Sequence, residues 1–571
     1  MEIKTLKSLT KKNSKAGVLA ELKTLGFSVV DGVYIAPVDL PDLAGVYNWL
    51  IKNIPPPWIV RSSFENEDSN RGSFAGCFNT VYPVWDECNF GKAVHSVLEI
   101  PEKAFIYGGI KGIVPGQGAV IVQSYIDFAV KGVAFYDCRN GDFSQSTGKN
   151  DSVTSGTGGE TDNLYHEKIH GLCVDVSSVL EYRTLDLEFG IDNTGRIYIL
   201  QVRELQDILP YFMNDGEWRL DKKYNPLEIS PFHASLIRLM NNMGFHGVSV
   251  WKNHIYVPGK SSSFENSDIK HLTQDIDNVV HPVQLFEFCR FAIDYLSRSN
   301  SGSVKYGGNI ISWKLKEISR ELNTQDEEVI VRNFVESEES LLPFTWDVAS
   351  PVLRDFPDKI KEFCSFVNYN EPSIFPENEK DDVSFAREMY KVRHSILERG
   401  KDLSSRGLID NIEDIFRVPW ETAFSPIFEP YLKKIIQIKS SENDVSASIP
   451  VLFENGRAFY NSFQFNDLQC SGKTVVPGKA TGVLKFYLPG HNSWVGNIVA
   501  AEDFTPQDII SLAGCAGLLI KSGTLHSHGA ILARELGIPA MHLDFESSGI
   551  TEGRLYCLDA GAGKLYSLEQ G

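Results

Sequence analysis

Hydrophobic and polar positions along this 571-residue chain fall into three stretches of different rhythm. Up to about residue 210, helical and strand patterns alternate. Lys15 to Gly26 carries Ala16, Leu19, Ala20 and Leu22 at helical spacing and predicts a helix. Short apolar runs at Val29-Val30, Tyr34-Ile35, Ile59-Val60, Ala119 to Ile126 and Lys131 to Asp137 predict strands. Leu185 to Ile191 and Ile197 to Arg203 flank the turn Asp192-Asn193-Thr194-Gly195 and predict a β-hairpin. Period 2 places Asp186 and Glu188 on one face of its first strand, and Gln201 and Arg203 on one face of its second.

From about 211 to 465 helical spacing dominates, at Val283 to Ser297, Trp313 to Leu322, Asp326 to Leu341, Ile360 to Phe366 and Ser384 to Leu403. Pro210 to Asp221 reads as a linker and Asn370 to Asp382 as an exposed loop. After 466, strands return at Val475 to Leu484, Asn497 to Ala501 and Ala516 to Ile520, with a closing hairpin from Gly553 to Tyr566. Between them Ser527 is a good N-cap, and Ala530, Ile531, Ala533 and Leu536 form an apolar stripe. Gly537 then supplies a stop, with Pro539 beyond it. A short helix from His528 to Leu536 follows. The pattern predicts an α/β multidomain chain divided at 1–210, 211–465 and 466–571.

Composition leaves that picture in place: 42% of residues are apolar and 23% charged. A net charge of −19 argues against nucleic acid or an anionic membrane as partner, because both require a basic face. Met1 to Lys15 has lysines but no apolar core of signal-peptide length, and no apolar run reaches the length of a membrane span. The nine cysteines are odd in number and scattered, without a C-x-x-C, and read as reduced core residues of a cytoplasmic protein.

Chemistry concentrates at four places. His528 falls in the first turn of its helix. Free N–H groups and the positive dipole end favour an anion there and keep the imidazole neutral and nucleophilic. That combination suits covalent phosphoryl carriage, although an isolated histidine at this position reads as a polar early-helix residue. Arg61, just after a strand, presents a guanidinium fork suited to phosphate oxygens or to a surface ion pair. Ser155 to Glu160 is glycine-rich and suits a phosphate loop or a plain linker. Hairpin pairing brings Asp186, Glu188, Gln201 and Arg203 together, either as a solvated face or as hard oxygen donors for nucleotide-borne Mg²⁺ with a cation for phosphate. The aromatic residues of the middle stretch, among them Trp313, Phe334, Phe344 and Trp346, read as core or as an acceptor pocket.

Residues 527–540, Ser-His-Gly-Ala-Ile-Leu-Ala-Arg-Glu-Leu-Gly-Ile-Pro-Ala, strongly resemble the phosphohistidine domain of the phosphoenolpyruvate (PEP)-utilising enzymes. That group includes pyruvate phosphate dikinase, PEP synthase and rifampicin phosphotransferase. Val60-Arg61-Ser62-Ser63, Glu67-Asp68 and Ser73-Phe74-Ala75-Gly76 resemble the phosphate-gripping segment of the family's ATP-grasp domain, and Asn13 to Leu22 resembles its opening. Val120 to Gln123 with Gly132 to Phe135 resembles the strand pair lining its nucleotide cleft, and Asp186-Leu187-Glu188-Phe189 with Leu200-Gln201-Val202-Arg203 its metal-binding end.

The resemblance implies an N-terminal ATP-grasp-like domain, a mostly helical acceptor or linker domain, and a C-terminal swivelling β/α phosphohistidine domain. It implies Lys15, Arg61, Gln123 and Arg203 as ATP contacts, Glu188, Gln201 and Asp186 as Mg²⁺ ligands, and His528 as the phosphorylated residue. The expected reaction moves the ATP β-phosphate through phosphohistidine to a small-molecule acceptor, giving AMP and phosphate. Family dikinases and synthases continue into a PEP- and pyruvate-binding barrel after this domain, so pyruvate is not the expected acceptor. Two other readings stay open: a condensing ligase that activates a carbonyl by the same chemistry, and a non-catalytic nucleotide-binding regulator. Gly523-Thr524 stands where the family has Gly-Gly, His526 is unusual, and Ser155 to Glu160 stands where the family has Gly-Leu-Gly-Glu. Neither the acceptor nor the oligomeric state is legible in the sequence.

Overall fold

The computed structural model describes residues 4–5, 15–36, 42–69, 72–74, 77–139, 141–148, 165–204, 213, 216–222, 225, 227–259, 283–298, 327–337, 347–350, 380–442, 447–454, 457–459, 468–488, 491, 494–502, 504, 508–521 and 528–568. The chain is mixed α/β. Contacts divide it into two compact units, one of Met1–Ile208, Gln437–Ile449 and Ser462–Gly571, the other of Leu209–Ile436 and Pro450–Asn461.

The N-terminal part of the first unit contains β1 (Lys4–Thr5), α1 (Lys15–Thr24), β2 (Gly32–Ile35), α2 (Leu43–Asn53), β3 (Trp58–Phe64), β4 (Asp68–Ser69), β5 (Gly72–Ser73) and β6 (Thr80–Val84). It continues through α3 (Glu87–Leu98), α4 (Glu102–Lys111), β7 (Gly118–Ser124), β8 (Val130–Asp137), β9 (Asp142–Gly148), α5 (His166–Leu180), β10 (Thr184–Ile191) and β11 (Ile197–Glu204). Two sheets result, one in the order β1-β2-β7-β3-β6 and one in the order β11-β10-β8-β9. Val33, Val60, Val120 and Val122 of the first sheet pack against α2 and α3. Leu185, Leu187, Ile199 and Val202 of the second sheet pack against α5. The predicted hairpin forms. Asp192 Oδ1 accepts from Thr194 N at 2.9 Å and Arg196 N at 3.0 Å. Gly195 adopts φ +82°, which the turn requires and side chains resist.

The second unit holds β12 (Glu217–Leu220), α6 (Pro231–Asn242), β13 (Ser249–Trp251), β14 (His254–Pro258), α7 (Val283–Arg298), α8 (Glu327–Ser337), α9 (Lys380–Ser405) and α10 (Trp420–Phe424). α11 (Leu432–Glu442) runs across the division at Ile436 and Gln437. β15 (Ala447–Ser448) follows in the first unit, then β16 (Leu452–Glu454) and β17 (Arg457–Phe459) return to the second. Helices predominate, but Pro210 to Asp221 is not simply a linker. Glu217–Leu220 is the central strand of a sheet ordered β13-β14-β12-β16-β17, with Trp218 fully buried. The helices expected at 313–322 and 360–366 lie outside the described residues.

The C-terminal part of the first unit comprises β18 (Leu468–Ser471), β19 (Lys473–Val476), β20 (Lys479–Phe486), β21 (Asn497–Ala501), α12 (Ile509–Leu512), β22 (Gly517–Ile520), α13 (His528–Leu536), β23 (Ala540–His542), α14 (Phe545–Ser548), β24 (Leu555–Asp559) and β25 (Lys564–Leu568). Its sheet runs β18-β25-β24-β20-β21-β22-β23-β19, with β15 beside β20. β20 through β23 pair in parallel; β21 and β22 read as near-continuous apolar runs, as strands covered on both faces must, whereas β20 alternates buried and half-buried positions. α13 has the bounds predicted for it. Gly537 at φ +65° ends it. Ile538 N donates to Ala533 O at 2.9 Å and Gly537 N to Arg534 O at 3.0 Å, closing the last turn.

Candidate active site

A cavity of about 250 Å³ opens in the N-terminal part of the first unit. Ile59, Arg61, Thr80 and Tyr82 reach it from β3 and β6, and Gln123 from β7. Lys131, Gly132, Glu188, Phe189 and Leu200 reach it from the other sheet. Its walls are chiefly apolar and its polar groups few, which is the composition of a small-molecule site. Tyr82 stacks on Tyr125 with ring centroids 5.4 Å apart, and Lys131 Nζ lies 5.2 Å from the Tyr82 centroid. Two glycines make room for rings. A Cβ on Gly132 would lie 2.2 Å from Phe189 Cζ, and one on Gly190 2.6 Å from Phe128 Cγ.

A β-bulge shapes the polar side. Glu188 pairs with Gln201 and Phe189 with Ile199, so Leu200 has no partner in the ladder. A carbonyl left out of a ladder needs another donor. Arg61 supplies it, Nη1 donating to Leu200 O at 2.6 Å and Nη2 to Gln201 Oε1 at 2.9 Å. Arg61 is only 8% exposed, and its buried Nε has no hydrogen-bond partner. Glu188 lies beside it, Oε2 4.0 Å from Nη2. Farther along, Arg203 Nε donates to Asp186 Oδ2 at 2.6 Å. Pairing of Asp186 with Arg203 and of Glu188 with Gln201 therefore forms one row, as strand periodicity anticipates. Glu188 lies on the cavity wall. Gln201, Asp186 and Arg203 continue the row outside it.

Gln123 lines the cavity and donates from Nε2 to Val30 O at 3.1 Å. Lys15 does not line it. Its Nζ is buried against Glu67 Oε1 at 2.6 Å. Glu67 also accepts from Ser62 Oγ at 3.1 Å and from Phe64 N at 3.1 Å. The lysine expected to meet phosphate thus ties α1 to the turn after β3.

As a donor for nucleotide-borne Mg²⁺, Glu188 fits, an anionic carboxylate at the cavity wall, while the amide oxygen of the paired Gln201 lies outside the cavity and already accepts from Arg61. Asp186 fits less well, because Arg203 holds one of its oxygens. Among the described residues no group of three His, Cys, Asp or Glu is gathered for a metal.

α13 packs onto the same N-terminal part of the first unit. Ala530, Leu532 and Ala533 share an apolar cluster with Phe74, Cys77, Ala104, Tyr107 and Ile113. Tyr107 Oη donates to Glu535 Oε2, and Lys111 Nζ donates to Glu535 O. Burial, reinforced by the Glu535 charge, raises the Tyr107 phenol well above its ordinary value and keeps it a donor. The Arg534 guanidinium carbon lies 5.8 Å from the Phe135 ring centroid. Burial lowers the Arg534 pKa, while the neighbouring Asp186 charge opposes that shift. The predicted catalytic position, His528, opens the helix, and only its backbone is described. Ser155 to Glu160, Thr524, His526 and Ser527 lie outside the described residues.

Sequence reasoning missed the aromatic wall of Tyr82, Tyr125 and Phe128, which belongs to no motif, and the contacts of α4. It also placed every cysteine in the core. Cys88 and Cys138 are exposed, and Cys364 lies outside the described residues.

Residues 495–563 match the family model "PEP-utilising enzyme, mobile domain". The chain therefore carries that domain, and α13 lies within it.

No curated protein matches the sequence. Among solved structures, D-alanine-D-alanine ligase from Coxiella burnetii aligns at 18% identity and a TM-score of 0.24, covering 35% of this chain and 48% of that one. The Helicobacter pylori D-alanine-D-alanine ligase aligns at 16% and 0.23, covering 35% and 52%. N5-carboxyaminoimidazole synthase from Aspergillus clavatus aligns at 9% and 0.24, covering 34% and 44%. This chain spans about half the length of each. Among the described residues, no helix is long and apolar enough to cross a membrane.

Proposed function

We propose that the protein is an ATP-dependent phosphotransferase that carries the ATP β-phosphate on His528 to a small-molecule acceptor. The observation that carries the reading is the position of α13. The helix headed by His528 belongs to a PEP-utilising mobile domain and packs on the part of the chain that holds the Arg61 cavity.

In this reading the apolar wall holds the adenine, and Arg61, Lys131 and Arg203 supply positive charge for the phosphates. Gln123 orients the base edge. Lys15 secures the phosphate-side loop through Glu67. Glu188 and Gln201, flanked by Asp186, would hold Mg²⁺ brought with the nucleotide, which would neutralise phosphate charge. The neutral His528 ring attacks the β-phosphorus. The bond from that phosphorus to the bridging oxygen breaks, and AMP leaves with the electron pair. Water then cleaves the β–γ link and releases phosphate, leaving phosphohistidine. An acceptor nucleophile takes the phosphoryl group and returns the ring to neutrality.

The test uses β-³²P-labelled ATP. Wild-type chain is expected to gain an acid-labile, base-stable label and to form AMP, and His528→Ala to do neither. If His528→Ala turned ATP into AMP at the wild-type acceptor-dependent rate, the proposal would fall. Acceptor-dependent AMP release with an unphosphorylated coupled product would favour a ligase.

A further inference from the structure

We infer that Tyr107, Lys111 and Glu535 form a positioning latch that holds the His528 helix against the nucleotide domain for the donor half-reaction. The inference rests on the phosphotransferase reading for its catalytic consequence, and on the structure alone for docking.

Apolar contact could hold the two surfaces together anywhere along α13, because Ala530 and Ala533 are small and their cluster lacks direction. Direction comes from hydrogen bonds. The Glu535 carboxylate is 7% exposed, and a buried carboxylate without a donor is costly. Tyr107 supplies that donor from α4, and Lys111, one helical turn farther along α4, bonds the main-chain oxygen of the same residue. Two partners four residues apart on one helix thus grip one residue of the other. The grip fixes both the lengthwise position and the rotation of α13.

Glu535 lies seven residues after His528, which is two turns, so the two backbone positions share one stripe of the helix. The offset along the axis is about 10 Å. Slipping the helix by one residue would rotate position 528 by about 100° and part Glu535 from Tyr107. The latch therefore acts through the helix and not on the reacting atoms.

Tyr107→Phe removes one oxygen and keeps the ring in its cluster. Loss of a hydrogen bond to a buried charged group shifts a docking equilibrium about tenfold or more. Two measurements decide. First, hydrogen exchange in the full chain should accelerate about tenfold in Ile106–Ile110 and Ala530–Ala533, while β10 and β11 stay unchanged. Second, single-turnover labelling of His528 from β-³²P-ATP should slow about tenfold. Equilibrium binding of a non-hydrolysable ATP analogue should stay within about twofold.

Glu535→Gln keeps an acceptor for Tyr107 and should hold both signals near wild type, whereas Glu535→Ala should shift them as Tyr107→Phe does. If exchange is unchanged in Tyr107→Phe, the latch is wrong. If exchange accelerates while labelling keeps its wild-type rate, the positioning role is wrong. If wild-type chain takes no label, the phosphotransferase reading falls, and the exchange data alone uphold or overturn the docking claim.

Discussion

Arg61 serves both the backbone of the bulge and the side-chain amide of the adjacent Gln201, so changing it conservatively is informative. Arg61→Lys keeps the charge but not the fork. The guanidinium donates to Leu200 O at 2.6 Å and to Gln201 Oε1 at 2.9 Å from two nitrogens held in one plane. An ammonium on a flexible stem satisfies one of them. The other, at a site 8% exposed, is left without its donor, which costs about 1–3 kcal/mol. In a Gln201→Leu background only Leu200 O needs a donor, so the penalty should shrink by about 1–2 kcal/mol. The cycle is read from opening free energies of the slowest-exchanging amides of β10 and β11, which avoids assuming that the whole chain unfolds in one step. The same cycle read by nucleotide titration should show Arg61→Lys weakening binding by about five- to 140-fold at most, since 1.4 kcal/mol is a factor of ten. Additivity within about 0.5 kcal/mol in both readouts would show that Arg61 does not act through Gln201, and the reasoning about the bulge would fail.

Three further outcomes are expected. Burial pushes the fully buried His233 of α6 down to about 4, so the unfolded ring takes a proton near pH 6.5 while the folded ring resists until about pH 4. Stability of the second unit is then full above pH 6.5 and falls by about 3 kcal/mol as pH drops to 4. Exchange of α6 amides should follow that slope in wild type and lose it in His233→Gln; equal slopes would refute it. Gly132→Ala places a Cβ 2.2 Å from Phe189 Cζ and should weaken binding of a fluorescent ATP analogue at least about tenfold; unchanged affinity would remove Phe189 from the nucleotide site. Burial raises Cys77 and Cys173 to about 12, whereas Cys88 and Cys138 are exposed. Brief alkylation of native chain should therefore modify Cys88 and Cys138 and spare Cys77 and Cys173, as peptide mass mapping would report.

The α13 helix and the β10–β11 hairpin were legible because their signals are local. A cap, a stripe and a glycine stop mark the helix, and a turn between two runs marks the hairpin. The bulge was also written in the sequence, though less plainly. Ile197 and Ile199 face the core at odd positions, Val202 at an even one, and Gln201 and Arg203 turn the other way. Strict period 2 would send Gln201 and Arg203 into the core with Ile199, so the change of phase demands an extra residue. What was not legible depends on distance along the chain. The partner of Lys15 lies 52 residues away and that of Tyr107 lies 428 away. No period links such pairs. Trp218 was misread for a related reason: a four-residue strand between polar neighbours carries too little pattern to outweigh a nearby proline and glycine.

The polar groups between α4 and α13 have a consequence for reversibility. An interface of aliphatic side chains alone, once closed, loses only by separating. Here separation would return a carboxylate, a phenol and an ammonium to water, and hydration of those groups offsets part of the exposed apolar area. The contact is thus specific when formed, and its polar groups lower the net cost of opening it. Its opening should carry a smaller heat-capacity increase per unit area than the opening of the purely apolar core between β10 and α5, because polar exposure lowers heat capacity where apolar exposure raises it.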